Sequence, residues 1–132
     1  MVDGNLPDTS ASLPTALVNI PALLRLPIAQ VRKQLGKLID ERQANVTNTE
    51  RDLIYKAGSN ELVVDYLPAT GQVLAVALDA KHDIADFSPL YALGKLDKQH
   101  NAYVIDSLPS EHEGKFRGIV VHPNPPVEYT AD

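Results

Sequence analysis

The stretch ELVVDYLPATGQVLAVALD (61–79) decides how this chain is read. Leu62, Val64 and Tyr66 alternate with Glu61, Val63 and Asp65, the period of two that puts one face of a strand in a core and the other toward solvent. Pro68, Ala69, Thr70 and Gly71 then make a turn. Residues 72–79 carry apolar side chains on both faces, Leu74, Val76 and Leu78 opposite Val73, Ala75 and Ala77. Such a strand belongs in the centre of a sheet, covered on both sides or half covered by a partner.

Working outward, DLIYKA (52–57) and the turn GSN precede this pair, so residues 52–79 read as an antiparallel meander. Upstream, Pro27 opens a helical stripe of Ile28, Val31 and Leu35, and Gly36 supplies a left-handed stop. Asn19 caps a short turn begun by Pro21. ERQANVTNTER (41–51) reads as a polar loop. Downstream, Ser88 caps a second helix with Pro89 at its first position and Gly94 as its stop. AYVIDSL (102–108) and FRGIVVH (116–122) follow as strands. The expected fold is α+β, a mostly antiparallel five-stranded sheet packed by two short helices in the order α-β-β-β-α-β-β. LGKL ends both helices, at 35–38 and 93–96, which predicts a shared helix-stop role and leaves open a true duplication.

Residues 1–16 read as a flexible arm, 17–122 as a single domain and 123–132 as a proline-rich tail. A chain of 132 residues with 44% apolar content can bury a core. With no Trp and only two Phe, that core must be aliphatic. A net charge of −5 argues against a nucleic-acid backbone as partner. Arg25, Arg32, Lys33, Lys37 and Arg42 form a local basic stretch that reads as a solvated face. Absence of cysteine excludes disulfides, thiol nucleophiles and thiolate metal sites. No apolar run is long enough for a membrane helix. The polar stretch after Met1 reads equally as the spacer following a removed export signal and as a native arm. A lipid anchor would require a signal and a cysteine removed from ahead of it.

LRLPIAQVRKQLGKL, DLIYKA, ELVVDYL and QVLAVALD together resemble the SmpA/OmlA-type small lipoproteins of the outer-membrane barrel-assembly machine and, more broadly, β-lactamase-inhibitor-protein-like domains. Val31, Leu35 and Gly36 match the helix end, Tyr55 the aromatic position, and Thr70-Gly71 the turn before the last strand. The resemblance covers residues 24–79. Arg25-Leu26-Pro27 replaces the usual Gly-Met-Thr, and no functional residue carries over. What it implies is an exported, periplasmic or envelope-associated domain that binds protein and is not an enzyme; a cytoplasmic location is the alternative.

Chemistry-bearing patterns are few. His82, His100, His112 and His122 have no metal-ligand spacing, so no metal or cofactor is expected. No nucleophile motif or phosphate-binding loop is present, and no catalytic residue is assigned. Asp65 is either the solvent side of an amphipathic strand or an acid tuned by apolar neighbours. The face bearing Val63, Asp65, Val73, Ala75 and Ala77 is small and apolar. The second helix is its simplest cover. If both helices share the other side, it becomes a surface for a protein partner or self-association. The expected function is a protein-interaction or scaffold domain. The alternative is a ligand-binding or hydrolytic protein in which Asp65, Tyr66 and a histidine converge in a pocket.

Overall fold

The turn at Gly58-Ser59 organises half of the sheet. Gly58 takes φ +66°, as a two-residue hairpin turn with glycine first requires. Ala57 therefore pairs with Asn60, and the register runs without interruption from there to Arg51 opposite Tyr66. In the computed structural model, which describes residues 18–98 and 100–128, three helices and six strands follow one another. They are α1 (Ile20–Leu23), α2 (Ile28–Leu35), β1 (Asp40–Gln43), β2 (Arg51–Ala57), β3 (Asn60–Tyr66), β4 (Val73–Ile84), α3 (Ser88–Leu93), β5 (Tyr103–Pro109) and β6 (Phe116–Pro123). The strands form one sheet in the order β1-β2-β3-β4-β6-β5, with every pairing antiparallel.

The α+β class and the meander are as expected; the element count is not. The turn capped by Asn19 is a one-turn helix, with Asn19 Oδ1 accepting from Ala22 N at 3.1 Å. The polar loop at 41–51 hides β1, an edge strand of four polar residues, DERQ. It carries no hydrophobic alternation because most of it faces solvent. What holds it is the ladder to β2 and a loop closed by Asn45, whose Oδ1 accepts from Thr49 N and Glu50 N at 3.0 and 3.1 Å. The arm expected over 1–16 lies outside the described residues. Pro123 pairs with Tyr103 at the end of β6, so the ladder runs one residue into the expected tail.

All three helices pack on one face of the sheet. Ile20 and Leu23 of α1, Val31 of α2, and Leu90 and Leu93 of α3 share a core with Leu53, Tyr55, Leu62, Val64, Tyr66, Val76, Leu78, Ile119 and Val121. Each such aliphatic side chain contributes about 1.5–3 kcal/mol by leaving water. Short helices of this kind are held by packing, not propensity. α2 is also pinned at both ends. Ile28 N donates to Gly71 O at 2.8 Å. Near its other end, Arg32 donates to Glu41 Oε1 and Tyr66 Oη, each at 3.3 Å. Arg32 is thus a structural tie, whereas Arg25, Lys33, Lys37 and Arg42 of the same basic stretch are exposed.

The two LGKL segments end their helices by different means. Gly36 takes φ +75°, the left-handed stop that the sequence predicts. Gly94 has φ −86°, and the positive φ falls on Lys95 instead. Glycine at 94 makes room for α1 instead: a Cβ there would lie 2.8 Å from Ile20 Cδ1, and that side chain would have to shift. Ser88 is not the cap of α3 either. Phe87 occupies that position, and Asp86 Oδ1 accepts from Ser88 N at 3.0 Å. Pro27, expected as the first residue of α2, is its extended N-cap.

Candidate functional site

With every helix on one side, the opposite face of the sheet has no cover among the described residues. The helix expected there packs against the core face instead. Register lays out this open face in three rows. One row runs Arg42, Asp52, Asp65, Ala75 across β1 to β4. The next runs Asp40, Ile54, Val63, Ala77, Val120, Asp106 across all six strands. The third runs Lys56, Glu61, Asp79, Gly118, Leu108. Rows on one face are about 6.7 Å apart along the strands. The sheet curls into a groove of about 370 Å³ here, which His122, Lys81 and Arg117 also line. Ile54 is 2% exposed although it belongs to no helix-covered core, because neighbouring strands close around it.

Four of the five residues expected on this face are on it: Val63, Asp65, Ala75 and Ala77. Val73 is not. A bulge shifts the register between Asp65 and Tyr66, so that Val73 pairs with Tyr66 and enters the helix-side core at 2% exposure. Strict alternation places Val73 with Ala75, and one extra residue in β4 reverses it.

The two ends of the groove differ in charge. At the Gly118 end, the charges are balanced: Arg117 Nε lies 3.3 Å from Asp79 Oδ2, an ion pair without a hydrogen bond, and Lys81 Nζ lies 3.5 Å from Glu61 Oε1. Asp79 is 5% exposed, and its Oδ1 accepts from Lys81 N at 2.8 Å. Gly118 permits this arrangement, because a Cβ there would overlap the carbonyl oxygen of Leu78.

At the Asp65 end, balance is missing. Asp65 and Asp52 face each other in register, with Glu50 just ahead of β2. Among the described residues, neither aspartate has a cation within ion-pair distance, and Arg42 pairs instead with Asp40 at 3.2 Å. Asp65 Oδ1 is shut away from solvent with no hydrogen-bond partner. Burial, a carboxyl–carboxyl hydrogen bond with Glu50, and the charges of Asp52 and Glu50 push the Asp65 carboxyl up to about 8. Asp52 is also raised, by burial and by Glu50, against the opposing pull of Arg42. Of the two sequence readings of Asp65, a simple solvent-facing position does not describe it, since the side chain is half-buried among carboxyls.

Asp65, Tyr66 and a histidine do not converge. Tyr66 projects to the helix side, where its hydroxyl donates to Glu41 Oε2 at 3.3 Å. His122 shares the groove with Asp65, but its Nε2 lies 3.2 Å from Asp106. His112 Nδ1 contacts Asp83 Oδ2 at 2.8 Å, and His100 stacks on Tyr103. Among the described residues, no three His, Asp or Glu side chains are grouped to hold a metal ion, and no helix is long and apolar enough to cross a membrane.

Asp52, Ile54 and Val120 are site residues missed by the sequence reading, although a signal for Asp52 was present. The GS turn pairs Ala57 with Asn60, and counting back along both strands sets Asp52 opposite Asp65. Two aspartates in register are an arrangement that a strand avoids unless something pairs with them. A further hollow of about 390 Å³ lies between the α1–α2 connection and the β3–β4 turn, with Arg25 as its one charged lining residue. It brings no titratable groups together. Comparison with known proteins supplies no relative, since no family model, no curated protein and no solved structure matches the chain.

Proposed function

We propose that this chain is a non-catalytic protein-interaction domain whose partner docks on the uncovered face of the sheet. The observation that carries this reading is the row Val63, Ala77 and Val120, half-buried apolar side chains flanked by charges on a face that all three helices leave bare. A sheet face normally buries its apolar side chains against another layer. Among the described residues, the groove's lining offers no serine or threonine beside a base, which fits a docking surface better than a reaction site. Placement in the bacterial envelope, as part of an exported protein or lipoprotein, rests on the resemblance of residues 24–79 to the SmpA/OmlA-type and β-lactamase-inhibitor-protein-like domains.

The raised carboxyl of Asp65 favours a second reading, in which the groove binds a small ligand or hydrolyses it with Asp65 as the acid. The two readings separate by site-specific crosslinking in cells that produce the protein natively. A photo-crosslinking side chain at Ala77 is expected to give a protein adduct that the same group at Lys33, on the exposed side of α2, does not give. Equal adducts at both positions, or none at Ala77, would contradict the docking reading.

A further inference from the structure

Resting on that docking reading, we infer the chemistry of the partner: an extended peptide segment of another protein that sets a lysine or arginine on Asp52 and Asp65 and aliphatic side chains on the Val63–Ala77–Val120 strip. Charge complementarity selects it. Asp52 and Asp65 face each other at one end of the groove, with Glu50 beside Asp65 and Arg42 paired to Asp40, while Glu61 and Asp79 at the other end have their own cations. The Asp65 end thus has carboxyls with no cation paired to them among the described residues.

An extended segment fits the spacing. Alternate residues of a strand point the same way and recur about every 6.7 Å, which is the distance between the rows of this face. A cation over the Asp52–Asp65 row therefore carries the next same-side residue over Val63 and Ala77. Residues 1–17 and 129–132 contain no lysine or arginine and bring further aspartates instead.

Binding of this kind is coupled to a proton. Arg42 from β1, Glu50 just ahead of β2, Asp52 from β2, and His122 from β6 are the charged or titratable groups around Asp65, while β4 offers Ala75. Asp65 holds its proton at neutral pH, and a guest cation favours the ionised form, so occupancy expels the proton. Affinity must then rise with pH up to about the value at which Asp65 ionises.

The test uses the full chain, labelled with nitrogen-15, and a blocked peptide, acetyl-Lys-Ser-Val-Ser-Val-Ser-amide. Titration is followed through the amide signals at pH 6.5, 7.5 and 8.5. Expected are shifts confined to the groove strands around Asp52, Val63, Asp65 and Ala77. Affinity should increase several-fold from the lowest to the highest pH and fall at least ten-fold when the peptide lysine is replaced by glutamate. Asp65→Asn, which mimics the protonated side chain, should remove the pH dependence, with His122 retained in both proteins. Asp52→Asn should weaken binding at every pH. Equal binding of the glutamate peptide would overturn the cation assignment while leaving the docking face in place. The same shifts with lysine amide alone at the same concentration would overturn the peptide assignment. Absence of groove shifts, or a free chain whose own dimer buries the groove, would overturn the proposal whatever the variants do.

Discussion

Leu62 and Val63 are neighbours on one strand, yet they belong to different problems. Leu62 points into a core sealed by three helices and is 1% exposed. Val63 points into a groove that no helix covers, between Ile54 and Ala77. On the helix side, polar groups are found with partners: Glu41 accepts from Arg51 Nε at 2.7 Å and from Arg32 at 3.3 Å. Those arginine contacts hold its carboxyl below the ordinary carboxylate value despite its partial burial. On the open side, Asp65 and Asp52 are raised because burial and neighbouring carboxyls act on both, and the pull of Arg42 on Asp52 does not offset them. One sheet thus carries two faces built by opposite rules, one optimised for the fold and one left incomplete. Incomplete pairing on an ordered strand is where a binding function is best sought.

Substitutions can break or sharpen this contrast. The largest effect is expected for Leu62→Ala, about 2–5 kcal/mol of lost stability from the cavity it opens in the covered face. Val63→Ala, one residue away, should cost about 1 kcal/mol or less. Denaturant unfolding of both variants checks the pair, and similar losses would show that both faces are sealed. Gly118→Ala should cost about 3 kcal/mol by overpacking, because the new methyl meets the Leu78 carbonyl and lies 3.1 Å from Asp79 Cα. This large response on the open face is confined to the backbone crossing and should not spread to Ala77. Ala77→Ser should change stability by no more than about 0.5 kcal/mol.

Asp65→Asn tests the electrostatic half of the contrast, and its sign depends on pH. The folded-state value near 8 lies above the unfolded value of about 3.9, so the native state holds the proton more tightly. Stability should therefore be greatest below about pH 4 for this group and decline as the pH rises to about 8. Discounted for solvent screening of a partly exposed carboxyl, the decline is about 1–2 kcal/mol. Asp65→Asn should flatten it and be the more stable protein at pH 8, as thermal unfolding across pH 4–8 would reveal. A wild-type curve that rises over that window for reasons traced to Asp65 would contradict the unbalanced end.

How much of this was legible follows from the physics of each element. The meander was readable because β3 carries period-two burial, β4 is apolar on both faces, and turns of Gly, Ser and Pro separate the strands. β1 was hidden because an edge strand of DERQ is held by its ladder and by Asn45, neither of which leaves a hydrophobic pattern. Residues of the open face were readable on β3 but not throughout β4, where a bulge turned Val73 inward. Which side the helices take was not legible at all. Nothing in the amphipathic stripe of Ile28, Val31 and Leu35 says which face of the sheet it will meet, and that choice alone creates the groove.

Because the chain has no cysteine, single cysteines report this choice directly. Ala77→Cys and Val76→Cys place thiols on adjacent residues of β4, one in the groove and one at 0% exposure in the core. In the folded protein, maleimide labelling at 77 is expected within about ten-fold of an unstructured peptide thiol, and labelling at 76 slower by orders of magnitude. Labelling at 77 as slow as at 76 would mean that the chain itself covers the face, and the docking surface would not exist.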